Sequence, residues 1–168
     1  MTLNLKMNKF ATIVKLFEFR EVTFYSILIE DEEIPMGLQF LENHNQHPDM
    51  PVLRAWLTKI GNERGAMNYF FRDESFNGSA QALPPPINVS HDMCSLRWYC
   101  MRMSPAAVVV FNGGEKTAQT AQDCPNVRPH FLLANNLSNK IWAAFDAREI
   151  RLDDNDRLKI DDDFEIEI

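Results

Sequence analysis

The chain has 168 residues, 17 Lys/Arg against 24 Asp/Glu for a formal charge of −7, and 45% hydrophobic residues. That suits one globular domain able to build its core without metal or disulfide support. No apolar run approaches the roughly 20 residues needed to span a bilayer, and the negative total counts against avid nucleic-acid binding.

Met1–Phe19 is interrupted by Lys9, Lys15 and Glu18 and is followed by no small-residue cleavage site, so it reads as no secretory leader and the expected location is cytoplasmic. Residues 1–21 fit an extra strand, a helix or an N-terminal extension. Val22–Ile29 is β-branched and aromatic and runs into the acidic Glu30–Glu33, the pattern of a strand closed by a solvated turn. Pro35 can open a helix through Leu38, Phe40 and Leu41, and a second helix follows from Pro51, with Val52, Leu53, Trp56, Leu57 and Ile60 at helical spacing until Gly61 or Gly65. Together they predict a helical hairpin.

Residues 73–88, with Gly78 and the run Pro84-Pro85-Pro86, read as a connection. Leu96–Met103 and Ala106–Phe111 then predict two strands joined by the short Ser104-Pro105 turn into an antiparallel hairpin. A long amphipathic helix is predicted from about Asn126 to Ala147 through Phe131, Leu137, Ile141 and Phe145. The acidic end, residues 149–168, alternates apolar and charged residues as small half-exposed strands do. The expected fold is therefore α+β: an N-terminal strand, a helical hairpin, an antiparallel sheet, a covering helix and a β tail, divided as 1–21, 22–148 and 149–168.

Cys94, Cys100 and Cys124 are odd in number and lack C-x-x-C spacing, which predicts neither a disulfide framework nor a zinc site. Residues 113–117, Gly-Gly-Glu-Lys-Thr, echo the end of a phosphate-binding loop, but the Gly-Lys dipeptide and the glycine five residues earlier are missing, and that reading is rejected. Along the first hairpin strand, side-chain alternation groups Trp98, Cys100 and Arg102 on one face and Arg97, Tyr99, Met101 and Met103 on the other. With the long helix over the second face, Arg102 is expected on an open face where Lys116 approaches it, two cations able to receive a phosphate.

The segment Trp98-Tyr99-Cys100-Met101-Arg102 resembles the Leu-Tyr-Glu-Leu-Arg-like strand of the RelE/HigB-like toxin superfamily, small bacterial and phage proteins paired with antitoxins. Residues 108–117 resemble that family's strand running into a Phe-x-Lys-Lys-Thr-like turn, and the resemblance covers Val22–Ala144. Cys100 stands where the family often has glutamate, Glu115 replaces the first lysine, and Gly113 falls where an aromatic is common. The resemblance implies metal-independent, cofactor-free cleavage of mRNA, commonly on the ribosome, by attack of a 2′-hydroxyl on the adjacent phosphate, with a helix-turn-helix antitoxin as partner. Arg102, Lys116 and His91 would be catalytic, the cations on phosphate oxygens and the imidazole in proton transfer, while Arg97, Thr117 and Thr120 would bind RNA. The competing readings make Arg102 and Lys116 solvated or salt-bridged charges, Trp98 and Tyr99 core aromatics, the threonines caps, Cys100 a small buried hydrophobe, and the histidines surface or loop residues. The alternative function is a non-catalytic module of the same fold that binds a cognate regulator or a phage or host factor.

Overall fold

The computed structural model describes residues 8–73, 80–83, 96–117 and 124–168. It is a mixed α+β architecture in which a large, mostly antiparallel sheet carries helices on both faces. The strands are β1 (Phe10–Glu18), β2 (Thr23–Ile29), β3 (Arg72–Asp73), β4 (Gln81–Leu83), β5 (Leu96–Ser104), β6 (Ala107–Glu115), β7 (Ile150–Leu152), β8 (Leu158–Ile160) and β9 (Ile166–Glu167). The helices are α1 (Met36–Asn43), α2 (Met50–Lys59) and α3 (Arg128–Asp146). Among the described residues, seven strands form one sheet in the order β3-β4-β5-β6-β2-β1-β9, and β7 and β8 form a separate two-stranded ribbon.

Neighbouring strands of the large sheet are antiparallel except at its centre, where β2 and β6 run parallel, pairing Thr23 with Ala107 through Ser26 with Val110. Past that point they part. β2 continues beside β1, and β6 continues beside β5, pairing Gly114 with Arg97 and Glu115 with Leu96. Ser26 closes the parallel pair: its buried Oγ donates to the Val110 carbonyl at 2.7 Å and accepts the Gly37 N–H at 2.8 Å, which fixes the first turn of α1 to both central strands.

The two sheet faces bury two separate cores. On one face, Phe40, Leu41, Met50, Leu53 and Leu57 of the helical hairpin pack on Phe24, Trp98, Cys100, Val108 and Val110. On the other, Phe131, Ala134, Leu137 and Ile141 of α3 pack on Tyr25, Tyr99, Met101, Val109 and Phe111, with the Tyr99 and Phe131 rings 5.7 Å apart. The alternation read along β5 is thus realised, and Trp98 and Tyr99 are core aromatics. The expected open face is not open, because the helical hairpin covers the side to which Arg102 belongs.

α2 passes into a π-helical turn, Ile60–Arg64, and ends at Gly65, whose φ of +74° suits a residue without Cβ. A short 3₁₀ turn follows at Asn68–Phe70. The first and last strands, β1 and β9, are neighbours in the sheet. The boundary expected after residue 21 falls inside the β1–β2 hairpin, where seven residue pairs are in register, and β9 of the acidic tail pairs with β1. The β7–β8 ribbon docks at the β1–β2 turn: Arg157 donates to the carbonyls of Phe19 (3.2 Å) and Arg20 (2.8 Å), and the Leu158 N–H donates to the Tyr25 hydroxyl at 3.1 Å. No helix among the described residues is long and apolar enough to cross a membrane.

Candidate functional site

The expected Arg102–Lys116 pocket does not form. Arg102 faces Val108 across the hairpin, close to the Ser104-Pro105 turn, while Lys116 lies eight residues beyond Val108, just past the far end of β6. At about 3.3 Å per strand residue that separates them by roughly 26 Å. The Arg102 guanidinium is instead half-buried, with Nε donating to the Ala66 carbonyl after the π-helical turn, and desolvation lowers its pKa. Arg97 is buried, 6% exposed, and its Nη1 donates to the Leu96 carbonyl at 3.0 Å, so it offers no surface grip on an RNA backbone. Thr117 is engaged with a cysteine: its N–H lies 3.2 Å and its Oγ1 3.4 Å from Cys124 Sγ. His91 and Thr120 lie outside the described residues.

What does gather at the Lys116 end is a group of histidines. Because β2 and β6 are parallel and are followed by helices on opposite faces, the α1 connection and the α3 connection both open at the carboxyl ends of the central strands. Such a switch point is where open α/β sheets hold their ligands, and the parallel pair reproduces that geometry locally. The α1–α2 loop brings His44 and His47 to the end of β6. His47 Nδ1 accepts the Asp49 N–H at 3.0 Å, which leaves the ring proton on Nε2, 3.5 Å from Glu115 Oε1. His130, in the first turn of α3, is close enough to His44 for that imidazole to lower its pKa, and both are half-buried.

Burial lowers the pKa of His44, helped by His47 and opposed by a backbone hydrogen bond with Gly113 and by Glu115. Burial also lowers that of His130, with His44 adding to the effect. Both imidazoles are therefore held in the neutral, proton-accepting form at neutral pH. A register shift in the β5–β6 pairing, between Trp98 and Cys100, shapes the strand end beside them: Trp98 pairs with Gly113 and Cys100 with Val110. Bulges of this kind re-aim side chains next to functional sites. Gly113 is required there, since a Cβ would run into the Arg97 carbonyl group and lie 3.1 Å from Trp98 Cα.

Cys124 sits behind the cluster. Burial acts to raise its pKa but is outweighed by the Thr117 hydroxyl and by the backbone N–H groups of Thr117, Asn126 and Val127, leaving it at about 7. Among the described residues no group of His, Cys, Asp and Glu is arranged to hold a metal ion. Lys116 and Thr117 thus share one end of the sheet with His44, His47, His130 and Glu115; His44 and His47 lie in the α1–α2 loop, as expected of loop histidines, while His130 is in the first turn of α3. A sequence signal existed in the His-x-x-His spacing at 44 and 47 immediately before α2, but nothing local pointed to its meeting His130.

No protein-family model matches this chain, no curated protein matches it, and no solved structure matches it.

Proposed function

We propose that this protein is a toxin-like endoribonuclease of a toxin–antitoxin pair whose acid–base groups are His44, His47 and His130. The observation that carries the reading is the convergence of three imidazoles and Glu115 beside Lys116 at the carboxyl ends of the central parallel strands. The order of strand, helical hairpin, antiparallel hairpin and covering helix supports the RelE/HigB-like resemblance, and the turn residues that carried it, Lys116 and Thr117, belong to this end.

In the proposed reaction neutral His44 accepts the proton of a ribose 2′-hydroxyl as the oxygen attacks the adjacent phosphorus. Lys116 offsets the charge gathering on the phosphate oxygens. The bond to the 5′-oxygen breaks and that oxygen takes a proton from the imidazole group, giving a 2′,3′-cyclic phosphate and a 5′-hydroxyl with no net proton change. Positioned proton transfer of this kind contributes about 10²–10⁴-fold. Purified protein incubated with an oligoribonucleotide, free and ribosome-bound, tests the reading. His44→Gln with His47→Gln is expected to lower cleavage at least 100-fold while Arg102→Ala leaves the rate unchanged; cleavage that survives in a folded double-Gln variant would remove the histidines from the chemistry.

The second reading, a non-catalytic module that binds a protein partner, is favoured by the net charge of −7 and by the capture of Arg102 at the Ala66 carbonyl. Absence of cleavage by the wild-type protein on both substrates, with growth arrest retained on expression, would select it.

A further inference from the structure

One surface of the helical hairpin differs from the rest of the molecule in both apolarity and charge. Among the described residues five large apolar side chains are exposed, and three of them, Val52 (38%), Met67 (40%) and Tyr69 (55%), fall within 18 residues of chain. Val52 and Trp56 lie one helical turn apart on α2 and so share a side of it. Trp56 meets Phe70 at 5.7 Å between ring centroids, Phe70 meets Tyr69 at 4.5 Å, and Lys59 Nζ stands 5.6 Å from the Trp56 ring. Residues 51–72 hold four Lys/Arg against one Glu in a chain whose total is −7; Arg54 turns to the other side of α2, 3.3 Å from Asn45 Oδ1, and Lys59 is the cation set against Trp56.

An exposed Tyr69 and a half-buried Trp56 beside the Lys59 ammonium, on an otherwise acidic protein, match the chemistry of a single-stranded nucleic acid, whose bases stack on rings and whose phosphates need positive charge. An acidic peptide would satisfy the cations but would leave the flat ring faces without a matching partner. α2 begins at Met50, directly after the His47–Asp49 loop, and its ten residues span about 15 Å. The face therefore starts beside the histidine cluster.

We propose that the Val52–Trp56–Lys59–Tyr69 face is a binding track for single-stranded RNA, with bases stacking on Tyr69 and Trp56 and phosphates held by Lys59. The proposal rests on the nuclease reading in that it names the surface holding the substrate.

The test uses the full chain and a fluorescein-labelled 2′-O-methyl oligouridine 12-mer, which cannot be cleaved, with binding read by anisotropy across a salt series. Tyr69→Ala should weaken binding about tenfold or more, and Tyr69→Phe, which keeps the ring, should bind within about twofold of wild type. Lys59→Gln should reduce the slope of log affinity against log salt by about 0.7, the value for one phosphate contact on a single strand. Tyr69→Ala binding as tightly as wild type overturns the track, as does displacement of the protein's ligand role to an acidic peptide, seen as polyglutamate binding with no binding of the 12-mer at low salt. The two proposals fail separately. Binding of the 12-mer without cleavage of normal RNA retires the nuclease and keeps the track, whereas cleavage with an unchanged Kd in Tyr69→Ala retires the track and keeps the nuclease.

Discussion

Replacing Ser26 by alanine probes whether the parallel pair and α1 are held as described. The hydroxyl makes two buried hydrogen bonds, to the Val110 carbonyl at 2.7 Å and from the Gly37 N–H at 2.8 Å, and the residue is fully buried. Ser26→Ala strands both backbone groups at once. Leaving a buried donor or acceptor unsatisfied costs about 1–3 kcal/mol, so the pair should cost about 3 kcal/mol, and for a chain of this size each kcal/mol lowers Tm by about 2–4 °C. A fall of roughly 6–12 °C is expected. Urea unfolding monitored by tryptophan fluorescence gives the free energy directly, and Thr58→Ala is the matched control. Thr58 also donates to a carbonyl, that of Arg54 at 3.0 Å, but on an exposed surface where water can replace it, so its loss should stay under about 0.5 kcal/mol. A Ser26→Ala loss no larger than that of Thr58→Ala would show that this hydroxyl does not tie α1 to the central strands.

Further outcomes follow from the same geometry. His44 and His130 have folded-state pKa values below the unfolded value of about 6.5, so the unfolded chain binds more protons just below that pH; their contribution is complete above about pH 6.5 and falls away on acidification. Urea midpoints should therefore drop between pH 7.5 and pH 5.5, less steeply in His130→Gln, and a midpoint that rises on acidification would contradict the burial of these rings. Gly113→Ala forces a methyl group against the Arg97 backbone and should cost about 3 kcal/mol or more, read as loss of soluble, cooperatively unfolding protein. Arg157→Ala removes the grip on Phe19 and Arg20 and should expose the β7–β8 ribbon to limited proteolysis; digestion patterns identical to wild type would count against that dock. Thr117→Val should raise the pH midpoint of Cys124 thiolate absorbance at about 240 nm above about 7 by removing the hydroxyl partner of its thiolate.

Most elements were legible because their signals are local. The helical spacing of Leu53, Leu57 and Ile60, the β-branched run at Val108–Val110 and the apolar stripe of α3 each specify an element and its buried side without reference to distant chain. The separation of Arg102 from Lys116 is also local in origin, since a tight turn at Ser104-Pro105 pairs residues equidistant from it and so sends residue 102 and residue 116 to opposite ends of the hairpin. The place of β1 in the sheet was harder to read: Phe10–Glu18 mixes charged and apolar residues because it is a half-exposed strand that takes its partners from β2 and β9. The histidine cluster was not legible at all, because His44 and His130 are brought together only by the parallel pairing of β2 with β6, which no short-range pattern encodes.

That pairing has a kinetic side. Ser26 and Val110 are 84 residues apart in the chain, and contacts of such long sequence separation carry a large loop-closure cost before they yield any stabilisation. The β1–β2 hairpin and the α1–α2 unit can assemble early from neighbouring residues, but their floor arrives only once β5 and β6 have emerged from the ribosome. A nascent chain stopped anywhere before Val110 leaves Phe24, Phe40 and Leu53 without a surface to cover them, and the protein depends on completing its own synthesis before its centre can close.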